Sequence, residues 1–192
     1  MTSNTEFEYD LGVVGLGYVG LPLAVESSKQ GLKVIGYDIN PERVEMINNG
    51  ISPIEDILND ELSNALNNFH STLDSELLSK CQNIVISVPT PLTDYQPDLS
   101  FVINAAKTVG ENLVKNQVII LESTTYPGTT IEVLIPNLEK TSKLKAGEDL
   151  FVGTHQKELI QAIKYGNLKI LQRLLVELMI FQLKKSDLSM NQ

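Results

Sequence analysis

Short runs of consecutive apolar residues alternate along this chain with segments whose apolar residues recur every three or four positions. "LGVVGLG", from Leu11, reads as a buried strand entering a glycine-rich turn. "YVGLPLAVESSKQG" has helical spacing, with Val19, Leu23 and Ala24 on one face and Gly31 as the terminating residue. "LKVIGYD" is a second strand ending at Asp38. Asn40 and Pro41 then supply an N-cap and first position for a helix through Val44 and Ile47. "SPIEDILNDELSNALNN" predicts a short helix, "FHSTLD" a weak third strand, and "NIVISVPT" a fourth, closed by Pro89 and Pro91. "LSFVINAAKTVGENLV" is an amphipathic helix, "QVIILEST" a fifth strand, and "TTIEVLIPNLEK" a helix that Pro136 must kink or end. Strands alternating with helices predict an α/β fold, a parallel sheet covered on both faces, with ligands at the carboxyl ends of the strands.

The turn "GLGYVG" places Gly15, Gly17 and Gly20 in a G-x-G-x-x-G pattern between a strand and a helix, the context such a pattern needs. Gly15 allows the tight turn, Gly17 lets backbone approach a pyrophosphate, and Gly20 lets the helix pack closely on the strand. The helix N-terminus adds amide donors and positive potential for phosphates. Asp38, ending the second strand, is placed to accept hydrogen bonds from an adenosine ribose and to repel a 2′-phosphate, which favours NAD over NADP. Arg43, one turn into the next helix, either approaches the adenosine phosphates or belongs to a solvated helix face. "SVPTP" (Ser87 to Pro91) and "ESTTYPGTT" (Glu122 to Thr130) lie at strand ends on the same edge. Their hydroxyls and rigid prolines suit cofactor or substrate contacts, although each also serves as a strand stop and helix cap. The residues alone thus predict an NAD-binding domain.

"VVGLGYVGLPLAVE", "VIGYDIN", "SVPTPLTDYQPDL" and "LESTTYPGTTIEV" resemble the N-terminal half of the UDP-sugar 6-dehydrogenases. "VPTP" with "ESTTYPG" is most similar to the branch acting on UDP-N-acetylhexosamines for capsule, O-antigen or Vi-type polysaccharides. The resemblance implies a Rossmann-type doubly wound sheet in the order 3-2-1-4-5-6, its sixth edge truncated. It also implies oxidation of the sugar C6 alcohol to a carboxylate with two NAD. Carried over by motif, Gly15, Gly17, Tyr18, Val19, Gly20, Asp38 and Arg43 bind NAD, Pro89 and Thr90 line the nicotinamide side, and Ser123 and Thr124 sit by the reacting centre. Thr124 is there a catalytic support, helping to hold a water. Family members are homodimers through a central helix. Their nucleophilic cysteine, in a "G-G-x-C-x-P-K-D" motif, and that helix have no counterpart in these residues. An exposed apolar surface and aggregation are therefore expected.

The pattern changes after Gly153. From Thr154 to Gln192 there is no proline and one glycine, Gly166. Where the family reads "YSPER-INPGDK", this chain reads "THQKELIQAIK". Back-translation with TTR leucine codons, restoring one base after the Gly153 codon, permits YSP[E/K]RINPGDK. In the same shifted frame "ILQRLLVE" permits ITKITSG, which resembles the family's "KKITSG". We therefore read residues 1–153 as the NAD-binding domain and 154–192 as an atypical helical or disordered tail produced by a single-base deletion. The rival reading is an amphipathic helix, with Leu168, Leu171, Leu175, Leu178 and Met179 at helical spacing, that docks or dimerises a stand-alone NAD-binding module.

Composition narrows the partners. The net charge is −9 and the only arginines are Arg43 and Arg173, which argues against nucleic acid or an anionic membrane surface. It also leaves a UDP-sugar pyrophosphate without cationic partners here. One cysteine, Cys81, no signal-like N-terminus and no membrane-length apolar run fit a cytoplasmic protein. Cys81, just before the fourth strand, is read as a structural thiol, and His70 and His155 lack metal-ligand spacing.

Overall fold

The computed structural model describes residues 7–93, 96–123 and 128–154. Six strands form one parallel sheet: β1 (Tyr9–Val14), β2 (Val34–Tyr37), β3 (Phe69–Thr72), β4 (Cys81–Ile86), β7 (Val118–Leu121) and β8 (Phe151–Thr154). Their order is β3-β2-β1-β4-β7-β8, which is 3-2-1-4-5-6 when only these strands are numbered. Two residues each of β5 (Leu92–Thr93) and β6 (Gln96–Pro97) make a separate antiparallel hairpin that the hydrophobic pattern did not predict.

The apolar runs become central strands because both faces of a covered parallel sheet are dry. Successive residues of β7 alternate between the two cores: Val118 and Ile120 face one, Ile119 and Leu121 the other. Helices α1 (Gly20–Lys29), α2 (Pro41–Asn48) and α3 (Asn59–Ala65) supply Leu21, Leu23, Ala24, Ile47 and Leu62 to the first core. Helices α4 (Ser100–Asn112) and α5 (Ile135–Ser142), with a 3₁₀ turn at Ser75–Lys80, supply Val102, Ala106, Leu138 and Leu78 to the second. β8 pairs with all four residues of β7, from Val118↔Phe151 to Leu121↔Thr154, so the strand runs one residue past Gly153.

Local signals act as their chemistry requires. The Asn40 side chain accepts from the Glu42 and Arg43 amides, and Pro41 opens α2, where its missing N–H costs nothing. Gly31 takes a φ of +88° and donates its N–H to the Ser28 carbonyl, closing α1. Pro136 does not end the helix: helical backbone runs unbroken from the π turn at Thr130–Leu134 into α5, and the widened turn falls directly before Pro136, where the backbone bond that the proline cannot make would lie. Cys81 is the first residue of β4 rather than a residue before it, and it is buried. Residues 124–127 and 155–192, including Thr124, His155 and the tail leucines, lie outside the described residues.

Gly36 in β2 sits under two large side chains. A β-carbon there would lie 2.7 Å from Phe69 Cε2 and 2.8 Å from Leu16 Cδ2. Both side chains are buried, so an added methyl must displace packed neighbours. Gly36→Ala is therefore expected to lower unfolding stability by about 1–3 kcal/mol. Urea denaturation checks this, and a midpoint equal to that of the unsubstituted chain refutes the packing.

Candidate functional site

The carboxyl ends of β2, β1, β4 and β7 form a continuous rim, and most of the sequence-derived site residues lie on it. At its centre is the turn between β1 and α1. Gly15 has a φ of +92° and donates its N–H to the Tyr37 carbonyl. A β-carbon on Gly15 would stand 2.9 Å from the Ser87 carbonyl oxygen. Gly20 opens α1 so close to the turn that a β-carbon would collide with the Gly15 carbonyl oxygen and Ser87 Oγ. Gly17 is different, because no atom lies within 4 Å of the place a β-carbon would occupy. Its neighbours Tyr18 and Val19 are exposed. No side chain caps the helix N-terminus and no acid lies in its first turn. The turn thus offers an open, positively polarised backbone surface of the size and sign a pyrophosphate requires.

Asp38 ends β2 almost fully buried. Its Oδ2 accepts the Leu16 amide at 2.8 Å and Arg43 Nη1 at 2.9 Å, and Oδ1 accepts the Asn40 amide at 2.9 Å. The carboxylate is thereby tied to the glycine turn on one side and to α2 on the other. Arg43 lies neither free on a solvated face nor out toward phosphates; it reaches back across its first turn to Asp38. A carboxylate has about four lone-pair sites, so acceptor capacity for a ribose hydroxyl remains.

Ser87, just past β4, donates its hydroxyl to the Gly15 carbonyl at 2.9 Å, locking the glycine turn to the fourth strand. Ser123 Oγ donates to the Val88 carbonyl at 2.7 Å, holding the two loops together. Pro89 is exposed and Thr90 half-buried beside them. The described rim therefore unites Gly15, Gly17, Tyr18, Val19, Gly20, Asp38, Arg43, Pro89, Thr90 and Ser123.

Sequence reasoning passed over Glu122. It follows directly on β7, is 5% exposed, and its Oε2 has no hydrogen-bond partner among the described residues. Burial pushes its carboxyl from 4.5 up to about 8. The available signal was an acid placed directly after the apolar run "VIIL". Cys81, at the opposite end of β4, packs against Gly12 and Leu78, and burial pushes its thiol up to about 12. Such a thiol stays protonated at neutral pH and is no nucleophile. Among the described residues no group of three or more His, Cys, Asp or Glu converges as a metal site would require. No described helix is long and apolar enough to cross a membrane.

Residues 9–159 match the sequence model of the UDP-glucose/GDP-mannose dehydrogenase family, NAD binding domain. The chain belongs to this family. It is 42% identical over 145 residues to the UDP-N-acetyl-D-glucosamine 6-dehydrogenase of Pseudomonas aeruginosa, covering 74% of this chain and 34% of that protein. It is 39% identical over 148 residues to the Salmonella typhi enzyme of the same name, covering 76% and 34%. Among solved structures, UDP-D-ManNAc dehydrogenase from Pyrococcus horikoshii superposes with a TM-score of 0.72 at 33% identity, covering 80% of this chain and 38% of that one. The chain thus spans about a third of the length of the curated relatives it matches. NAD is the cofactor of the matched domain, and the open surface at Gly17 together with the buried acceptor Asp38 fits it.

The Glu122 carboxyl generates a pH prediction. Below about 4.5 the folded and unfolded chains both hold its proton, and stability carries no penalty. Between 4.5 and about 8 the unfolded chain ionises while the folded chain stays neutral. Stability is then lost by at most about 1.4 kcal/mol per pH unit. Glu122→Gln removes this loss, so its melting temperature should exceed that of the unsubstituted chain by a margin that grows from pH 5 to pH 8. A margin independent of pH in thermal melts contradicts the burial of this acid.

Proposed function

We propose that these residues form the cofactor-binding part of an NAD-dependent UDP-N-acetylhexosamine 6-dehydrogenase that makes a uronate for surface polysaccharide. The observation that carries this reading is the pairing, on one rim, of the open glycine turn with a buried acid ending β2. The similarity to UDP-N-acetyl-D-glucosamine 6-dehydrogenases supports the substrate class. Oxidation of a C6 alcohol to a carboxylate removes two hydride equivalents and adds the oxygen of a water. Bound NAD supplies the hydride acceptor. The work of this chain is to hold it: Gly17 and the start of α1 for the pyrophosphate, Asp38 for the adenosine ribose, and the Ser87–Thr90 and Ser123–Thr124 loops for the reacting end.

The covalent chemistry of the family needs a thiolate, and the single cysteine here is buried, protonated and about 20 Å along β4 from the rim. The 192 residues therefore bind cofactor without turning over sugar. We further propose that the residues from Thr154 onward are encoded one base out of step with the rest.

Four experiments test these statements. NADH should quench or shift protein fluorescence with micromolar affinity, NADPH should bind about tenfold more weakly, and Asp38→Ala should weaken NADH and narrow that gap. Equal affinities for NADH and NADPH would contradict the assigned role of Asp38. The frame proposal is tested on the coding DNA. An overlapping frame, displaced by one base after codon 153, should encode the "YSPER" and "KKITSG" segments, and its absence ends the proposal. Incubation with NAD and UDP-N-acetylglucosamine should produce no NADH absorbance; measurable oxidation overturns the claim that these residues do not turn over sugar. Gel filtration in the same preparation distinguishes a monomer from the oligomer that an evolved amphipathic tail would give.

A further inference from the structure

The rim runs in the same order as the parts of an extended dinucleotide. Asp38 stands at the end of β2, the glycine turn at β1, Ser87 past β4, and Glu122 past β7. Three strand spacings of about 4.8 Å separate the β2 end from the β7 end, roughly 14 Å in all. An adenosine ribose fixed at Asp38, with its pyrophosphate over Gly17, leaves the second nucleoside to continue toward β4 and β7.

Glu122 faces that path. Val118 and Ile120 point to the α1 side of the sheet, and the alternation carries Glu122 to the same side. Its N–H donates to the Ile86 carbonyl, which continues the β4–β7 register and sets Glu122 opposite Ser87. Ser87 itself points to the α1 side, because its hydroxyl reaches the Gly15 carbonyl and the place a Gly20 β-carbon would take. A carboxyl 95% buried, with one oxygen unpartnered among the described residues, has a hydrogen-bonding capacity that the fold does not use.

Among the described residues nothing charged from the neighbouring elements fills that capacity. β4 carries only Cys81 at its far end, and β8 carries no titratable residue. The charged groups of α1, Glu26 and Lys29, lie at its opposite end. Tyr18 in the glycine turn and Glu132 in the π turn are exposed. Burial raises the titration of this acid to about 8, so the protonated form predominates near pH 7.

We infer that Glu122 contacts the nicotinamide carboxamide, its buried carboxylic acid donating O–H to the amide oxygen while its carbonyl accepts the amide N–H. This assignment rests on the dinucleotide reading above. A carboxylic acid and a primary amide are complementary at two points, whereas a carboxylate offers the amide only acceptors. The proton on Glu122 is therefore part of the recognition.

The test uses the full chain and two ligands, NADH and ADP-ribose, which lacks the nicotinamide. NADH affinity should fall about fivefold to tenfold between pH 6.5 and pH 9, and ADP-ribose affinity should not. Glu122→Gln keeps a donor and an acceptor at every pH, so it should bind NADH as the unsubstituted chain does at pH 6.5 and lose the pH response. Glu122→Ala should bind NADH about fivefold to tenfold more weakly at pH 6.5 while retaining ADP-ribose. If NADH and ADP-ribose respond to pH alike, or if Glu122→Ala loses both ligands equally, the carboxyl serves the fold and the inference is overturned. If the unsubstituted chain binds ADP-ribose but NADH gains nothing over it, the nicotinamide contact alone fails. If it binds neither ligand, the dinucleotide reading fails first and this inference with it.

Discussion

Helix α1 begins so near the end of β1 that its first residue has no room for a β-carbon, and the rest of the rim is arranged around that contact. Gly20 is pressed against the Gly15 carbonyl and Ser87 Oγ, and Ser87 returns a hydrogen bond to the same carbonyl. The helix axis, the turn and the fourth strand are thus fixed to one another through three residues. The same approach brings the α1 amides to the sheet edge, where their partial charge acts on a ligand rather than on solvent. Leu16 joins this junction to the second strand, its amide on Asp38 and its side chain under Gly36. An acid at the end of β2 therefore reads the position of the turn directly.

The Asp38–Arg43 pair changes what that acid presents. A buried carboxylate without a cation would carry a full negative charge beside the incoming ligand. With Arg43 at 2.9 Å the charge is balanced, while two backbone amides still fix its orientation. Selectivity against an additional phosphate then depends on where the guanidinium settles when a ribose arrives, as well as on the acid.

Five of the six sheet strands were legible in the pattern, because β1, β4 and β7 are covered on both faces, which leaves uninterrupted apolar runs that turns must bound; the sixth entered only through the family resemblance. Helix starts were legible where a side chain caps a backbone amide, as at Asn40, and the glycine turn was legible from spacing. Other features were not. The hairpin of β5 and β6 has two residues per strand, too few to show a period of two. Pro136 was read as kinking or ending its helix, and the helix instead continues through it, with the missing N–H accommodated by a widened π turn that residue spacing does not reveal. The partner of Arg43 depended on a rotamer choice that composition does not encode. Glu122 escaped because an acid after a strand usually reaches water, and only the packed sheet shows that this one does not.

The placement of β1 has a kinetic side. Its partners are β2, about twenty residues on, and β4, whose Asn83 side chain reaches the Asp10 carbonyl across 73 positions of chain. Until β4 emerges from the ribosome, this central strand has one open edge, for several seconds at ordinary synthesis rates. Closing that long loop must precede most of the packing it makes possible, a sequence of events that slows folding of parallel sheets. The glycine turn and Ser87, which complete the rim, can meet only after that closure, so the ligand surface is among the last parts of this molecule to exist.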